Sequence, residues 1–292
     1  MPSPPIRDFV VSHFRLDPIE TELGISVWLD KLTPTSIIRG RLTGPRCIYA
    51  STVEIAYTMR EVSRSDHIEL RVTIPEPCWW DPQSPFLYEG VLEHWENEHL
   101  SQRSPITHGI RDLQLTSQGL KLNGRSVILR GRAVEPTVNE TELRRLHDCD
   151  INAVMTSFRG EREWFSNTAL WALANRYGLF VLCRGQDEFD SRHFGWIQDI
   201  HASAFGCVAR GKIGEESHSE QCLAVHHRPI GSLIGVESNA TRIPVGAAFI
   251  LCQEAELSSL AAKAMPKIVL TRKTPDPLPS RADVIGWIEV PS

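Results

Sequence analysis

From Arg7 to about Thr116 apolar and polar residues alternate in short runs: DFVVSHF, LGISVWL, SIIRGRL, VEIAYTM, HIELRVTI and LYEGVLEHW. A period of two places successive side chains on opposite faces of a strand. The breaks between the runs (LTPTS, TGPR, PEP, DPQSP) carry the Pro, Gly and Ser of turns. Strands of this length and spacing predict a small antiparallel sandwich over residues 1–118. Past residue 125 the pattern changes, and strand-like apolar runs alternate with longer segments of helical period. VILRGRAV precedes NETELRRLHDCD, NAVMTSF precedes EREWFSNTALWALANRYG, and LFVLCRG, GSLIGVES, KIVLT and DVIGWIEV follow. Such alternation is the mark of βα units and a parallel sheet. In the helical segment Glu161 to Gly178, Trp164, Phe165, Thr168, Leu170, Trp171, Leu173 and Ala174 make a broad apolar stripe, with Gly178 at the C-cap position. LFVLC is apolar throughout, as a strand covered on both faces must be. About six barrel-type strands are predicted over residues 119–292.

With 292 residues and 41% apolar content the chain can bury substantial cores. Its formal net charge is -5, and its Lys and Arg residues are scattered, which excludes the basic footprint of a nucleic-acid binder. The seven cysteines, Cys47, Cys78, Cys149, Cys183, Cys207, Cys222 and Cys252, show neither CxxC pairs nor zinc spacing and read as reduced thiols. MPSPPIRDFVV lacks the basic and apolar segments of a secretory signal, and no run reaches the roughly 18 apolar residues of a membrane span. A cytoplasmic protein with no membrane partner is the expectation.

Several segments, in order, resemble the family 2 glycoside hydrolases, the group of β-galactosidases, β-glucuronidases and β-mannosidases. Trp79 to Tyr88 (WWDPQSPFLY) is similar to the stretch that closes the family's immunoglobulin-like sandwich, and His108 to Leu113 (HGIRDL) to its Gly-Ile/Phe-Arg strand. Leu120 to Gly131 (LKLNGRSVILRG) resembles the linker and first barrel strand, with an Asn-Gly turn before Leu-Arg-Gly. INAVMTS and NRYGLFVL resemble the second strand, second helix and third strand. The resemblance implies a multidomain β plus α/β chain: an immunoglobulin-like β-sandwich followed by an incomplete (β/α)8 TIM-type barrel of about six strands. It also implies that the family's upstream jelly roll is not represented, and that strands seven and eight have no counterpart.

Retaining glycosidases need two carboxyl groups about 5 Å apart at barrel strand ends. In the family the acid/base is the Glu of an Asn-Glu pair ending strand four, and the nucleophile Glu lies on strand seven. The resembling stretch here is HHRPIGSLIGVESNA, where Asn239 is followed by Ala240; an ungapped register puts Thr241 there instead. The family's polar residues after strand one correspond to Glu135 and Pro136. Its Arg-Thr-Ser-His corresponds to Met155, Thr156, Ser157 and Phe158, its Asp-Glu to Cys183 and Arg184, and its sugar-facing positions on the last matching strand to Ile288 and Val290. Degenerate pocket positions are therefore Glu135, Met155, Phe158, Cys183, Arg184, Asn239 and Ala240.

Glu237 and Glu289 are the candidate catalytic carboxylates that remain. For Glu237 the competing reading is a strand-end Glu paired with an Arg. His226 and His227 are adjacent and cannot easily converge on one ion, so neither a metal nor a cofactor is expected. Trp79 and Trp80 read as core or as a sugar platform, Glu215, Glu216, His218 and Glu220 as a solvated helix start, and Cys183 beside Arg184 as a buried or an activated thiol. An open barrel leaves VILRG and DVIGWIEV with unpaired edges, which predicts self-association or a protein partner covering them. Two functions stand at this point. One is a catalytically inactive relative, a pseudoenzyme or relic tied to carbohydrate metabolism, that binds a β-linked carbohydrate or a protein. The alternative is a retaining β-glycosidase using Glu237 or a carboxylate from a partner.

Overall fold

The computed structural model describes residues 6–116, 119–158, 168–185, 202–209, 233–238, 247–260, 265–276 and 281–291. The first eight strands are β1 (Ile6–Arg15), β2 (Glu20–Leu29), β3 (Ser36–Arg46), β4 (Ile55–Thr58), β5 (Arg60–Arg64), β6 (Ile68–Pro75), β7 (Leu87–Glu96) and β8 (His99–His108). They form two four-stranded antiparallel sheets, β1-β2-β6-β5 and β4-β3-β7-β8. Strand β6 shows why: Ile68, Leu70, Val72 and Ile74 are buried, while the alternate residues face outward. Those four meet Leu23, Ile25 and Val27 of their own sheet and Leu42, Leu92 and Ile106 of the other, so one core lies between two layers.

A small three-stranded sheet follows, β9 (Leu113–Thr116), β10 (Gly119–Leu122) and β11 (Arg125–Ser126). Leu122 pairs with Arg125 across a two-residue turn whose Asn123 and Gly124 have φ of 52° and 78°. Asn-Gly is the pair best suited to two consecutive left-handed residues.

The remaining strands are β12 (Leu129–Ala133), β13 (Ala153–Phe158), β14 (Phe180–Gly185), β15 (Ala204–Ala209), β16 (Leu233–Glu237), β17 (Phe249–Gln253), β18 (Lys267–Thr271) and β19 (Val284–Glu289). Each pairs in parallel with the next, and β19 returns to β12 through Leu129↔Gly286, Arg130↔Trp287, Gly131↔Ile288 and Arg132↔Glu289. This closed ring of eight parallel strands overturns the expected incomplete TIM-type barrel of about six. The two strands not foreseen are AFGCVA (β15) and FILCQ (β17), so GSLIGVES supplies the fifth strand of the ring, not the fourth. The (β/α)8 description is likewise corrected, because two α-helices are present among the described residues. Closure also removes the premise for an edge-covering partner, since strands β12 and β19 satisfy each other.

Helix α1 (Glu140–Asp148) starts where the Asn139 side chain accepts a bond from the Glu142 amide at 3.0 Å, and buries Leu143 and Leu146. Helix α2 (Thr168–Tyr177) buries Leu170, Trp171 and Ala174 from the predicted stripe and ends at Gly178, whose φ is 68°. A side chain on Gly178 would also collide with the Pro82 carbonyl, 2.3 Å from a built Cβ. The first part of that stripe, with Trp164 and Phe165, lies outside the described residues. Both helices cover the outer faces of β13 to β15 through Val154, Phe158, Val181, Cys183, Ala204 and Cys207.

The barrel interior is filled by Leu129, Met155, Phe180, Leu182, Phe205, Phe249, Leu251, Ile268, Leu270 and Ile288. At its floor, Trp80 donates from Nε1 to the Asn175 carbonyl at 2.8 Å and is fully buried. Trp80, Phe180, Phe205 and Phe249 follow one another at ring separations of 5.2, 5.7 and 5.9 Å. Each such contact adds about 0.5–1.5 kcal/mol beyond area burial.

Candidate functional site

Parallel strands end on one rim, and side chains two apart on a strand share a face. Met155, Leu182, Leu233 and Leu251 belong to the barrel interior, so Ser157, Arg184, Glu237 and Gln253 are the inward positions nearest the rim. Arg184 on β14 and Glu237 on β16 are separated by β15, yet Nε and Nη2 of Arg184 each stand 2.7 Å from Glu237 Oε1. The pair therefore reaches across the inside of the ring, over the inward-packed Val208. The Glu237 side chain keeps 10% of its exposure and that of Arg184 26%. A carboxylate this enclosed needs its cation, since a buried charge without a partner is strongly disfavoured.

Two further carboxylates, missed in reading the sequence, follow β17 at once. Glu256 Oε2 accepts from the Gln253 amide and from Ser238 Oγ, both at 2.7 Å, and Glu254 Oε2 accepts from Thr271 Oγ1 at 2.7 Å. The signal was the acidic sequence QEAE directly after an apolar run, which is how a strand reaches a polar rim. These glutamates tie the ends of β16, β17 and β18 together. Below them Cys252 is buried and its thiol is pushed up to about 11, by burial first and then by the charge of Glu256. Burial also pushes the Cys207 thiol up. Neither is an activated nucleophile.

The other sequence candidates are dispersed. Glu289, on β19, sits 3.3 Å from Arg132 on neighbouring β12, with the Arg132 side chain exposed and that of Glu289 partly so. Met155 is buried inside the barrel, whereas Phe158 and Cys183 face outward against the helices. Adjacent residues of a strand point to opposite faces, so Cys183 does not share the environment of Arg184. Glu135 is exposed after β12, Ile288 is interior, and Val290 packs partly buried against the inner core. Trp79 packs on the sandwich core and Trp80 plugs the barrel floor. Asn239, Ala240, Thr241, His226, His227, Glu215, Glu216, His218 and Glu220 lie outside the described residues.

The fourth strand is AFGCVA, followed in sequence by Arg210-Gly211-Lys212, and the seventh is KIVLT, followed by Arg272-Lys273. Neither of these two strands itself carries an Asp or Glu. Among the described residues there is no cluster of three or more His, Cys, Asp or Glu able to hold a metal, and no helix long and apolar enough to cross a membrane.

No protein-family model matches the chain. A β-galactosidase of Psychromonas ingrahamii is 27% identical over 131 residues, covering 40% of this chain and 12% of that protein. The chain thus matches only a small part of that relative's length. Among solved structures, a glycosyl hydrolase family 2 member from Bacteroides cellulosilyticus superposes with a TM-score of 0.64 at 14% identity, over 97% of this chain and 45% of the other. The Bifidobacterium dentium β-glucuronidase gives 0.63 at 13% identity, over 90% of this chain and 52% of the other.

Proposed function

The chain is related to the family 2 glycoside hydrolases, and we propose that it is a non-hydrolytic member of that kinship whose role is to bind carbohydrate. The observation that carries this reading is the Arg184–Glu237 pair. Glu237 Oε1, on the most enclosed carboxylate among the described residues of the barrel mouth, is taken by two guanidinium donors at 2.7 Å. A general acid must present a proton to a leaving group, and a nucleophile must present a free lone pair. Here Oε1 is turned to the protein's own guanidinium instead.

The rest of the rim supports the same conclusion. Glu289 is spent on Arg132 three strands further round the ring, and Glu254 and Glu256 brace neighbouring strand ends. Retaining hydrolysis needs two carboxyl groups facing one sugar about 5 Å apart. Glu237, Glu254, Glu256 and Glu289 are each bonded to other groups of the protein.

The test is incubation of the purified chain with aryl β-glycosides of galactose, glucuronic acid, mannose and glucose. The expected result is no aryl alcohol above the buffer rate. Turnover that Glu237→Gln abolishes would establish a β-glycosidase and end this reading.

A further inference from the structure

A cleft of about 1030 Å³ lies away from the barrel mouth, where the segment after β3, the edges of β7 and β8, and helix α2 converge. Roughly 300–1,000 Å³ is usual for a small-molecule site, so it is large enough to take more than one sugar ring. Tyr49 is its aromatic wall. One face of the ring is stacked on His147 of α1, with centroids 4.1 Å apart and planes within 9°, and the residue keeps 38% exposure. One face of the ring is thus covered by His147, and the residue stays partly exposed where it lines the cleft. Pro45, Pro85 and Leu87 add apolar floor.

The polar lining is more open to solvent, with the side chains of Arg46, Glu54 and Glu89 47%, 45% and 44% exposed. Arg46 donates from Nε to Glu54 Oε2 at 2.7 Å and from Nη1 to Glu89 Oε2 at 2.9 Å. That fork places one guanidinium between two carboxylates, and among the described residues Arg46 Nη2, Glu54 Oε1 and Glu89 Oε1 make no further bond, leaving one donor beside two acceptors. Vicinal hydroxyls, each both donor and acceptor, match such an alternation. Arg46 and Arg176 are balanced by Glu54 and Glu89, so the lining carries no net charge to attract an ionic ligand. Burial pushes the Tyr49 hydroxyl up to about 12, which keeps it neutral.

We infer that this cleft binds a short neutral oligosaccharide, its pyranose face on Tyr49 and its hydroxyls on the Arg46–Glu89 fork; the inference rests on the proposed carbohydrate role. It separates the place of sugar binding from the barrel mouth. Titrate the full chain with lactose, cellobiose and mannobiose by saturation-transfer NMR and calorimetry. At least one should bind, and Tyr49→Ala should weaken it about tenfold or more by removing the platform. Tyr49→Phe should retain binding. Glu89→Gln, which alters charge without altering shape, should weaken it severalfold even if Tyr49→Ala fails to fold. Binding of none of the three sugars overturns the inference. Binding lost in Glu237→Gln but kept in Tyr49→Ala also overturns it, while leaving the proposed carbohydrate role intact. Hydrolysis of a bound sugar would instead end the non-hydrolytic reading and leave the cleft in place.

Discussion

The barrel has an arginine at each end, and the two are held in opposite ways. At the floor Arg111 is fully buried, its Nη2 donating to the Ala204 carbonyl and its guanidinium 5.6 Å from the ring of Phe180 and 5.9 Å from that of Trp80. Among the described residues no carboxylate pairs with it, and burial pulls its pKa down to about 9, which still leaves it charged at neutral pH. At the mouth Arg184 is partly exposed and is matched by Glu237. Aromatic faces and a backbone carbonyl can hold a cation without using up an acid; at the mouth an acid is used up. The floor is scaffolding made from the sandwich side, through HGIRDL and Trp80. The mouth is where a hydrolase would keep its acids free.

The comparison predicts unequal costs of disruption. The largest belongs to the floor: Trp80→Ala removes a fully buried ring that covers Arg111 and bonds Asn175, and should cost about 3–5 kcal/mol in urea unfolding. A cost below about 1 kcal/mol would show that the floor does not depend on it.

Next comes acid sensitivity beside Arg111. His13 Nε2 lies 2.9 Å from His108 Nε2, and the His13 pKa is held well below 6.5 by burial first, then by the charges of His108 and Arg111. The folded state thus keeps His13 neutral while the unfolded chain takes up a proton near pH 6.5. The unfolded state binds more protons below that pH, so this contribution to stability is complete above it and falls as the pH drops. Urea midpoints measured at about pH 7.5 and about pH 5.5 should differ, and His13→Gln should reduce the difference. Equal midpoints in the native chain would contradict this account.

At the mouth, Arg184→Met takes the guanidinium away from the enclosed Glu237 carboxylate and should cost about 2 kcal/mol, discounted from a fully buried pair because the guanidinium is partly exposed. Glu237→Gln should cost less, since the cation it leaves has more access to water. The reverse ranking in urea would show that the carboxylate is not the group needing its partner. The smallest effect belongs to Glu289: Arg132→Ala removes an exposed pair and should change stability by less than about 1 kcal/mol.

Much of this architecture was legible in the sequence, for local reasons. The alternation in HIELRVTI is the burial pattern of β6, the Asn-Gly pair is a tight turn, and Gly178 ends a helix. The strands of the barrel were legible only when a turn or a helix set them apart. FILCQ runs directly into EAELSSLAAKAM, whose spacing is helical, so it carries no boundary of its own. AFGCVA is short and broken by Gly206, where a side chain would meet the Leu233 carbonyl at 2.5 Å. Losing those two strands opened the ring and shifted the numbering of every strand after the third. Met155 and Phe158, three residues apart on one strand, cannot both face inward under a period of two, and the structure puts them on opposite faces. The Arg184–Glu237 pair was out of reach of local pattern, because it depends on which strand lies between the two residues.

Hydrolysis itself is the most direct test of the central proposal, that this barrel keeps its framework without the chemistry. Aryl β-galactoside and aryl β-glucuronide should be incubated with the native chain and with Glu237→Gln across acidic and neutral pH, and release of aryl alcohol followed to long times. The account expects both proteins to match the buffer rate at every pH. Release by the native chain that disappears in Glu237→Gln would mean the Arg184-bound carboxylate is a working catalytic group, and the account would fall.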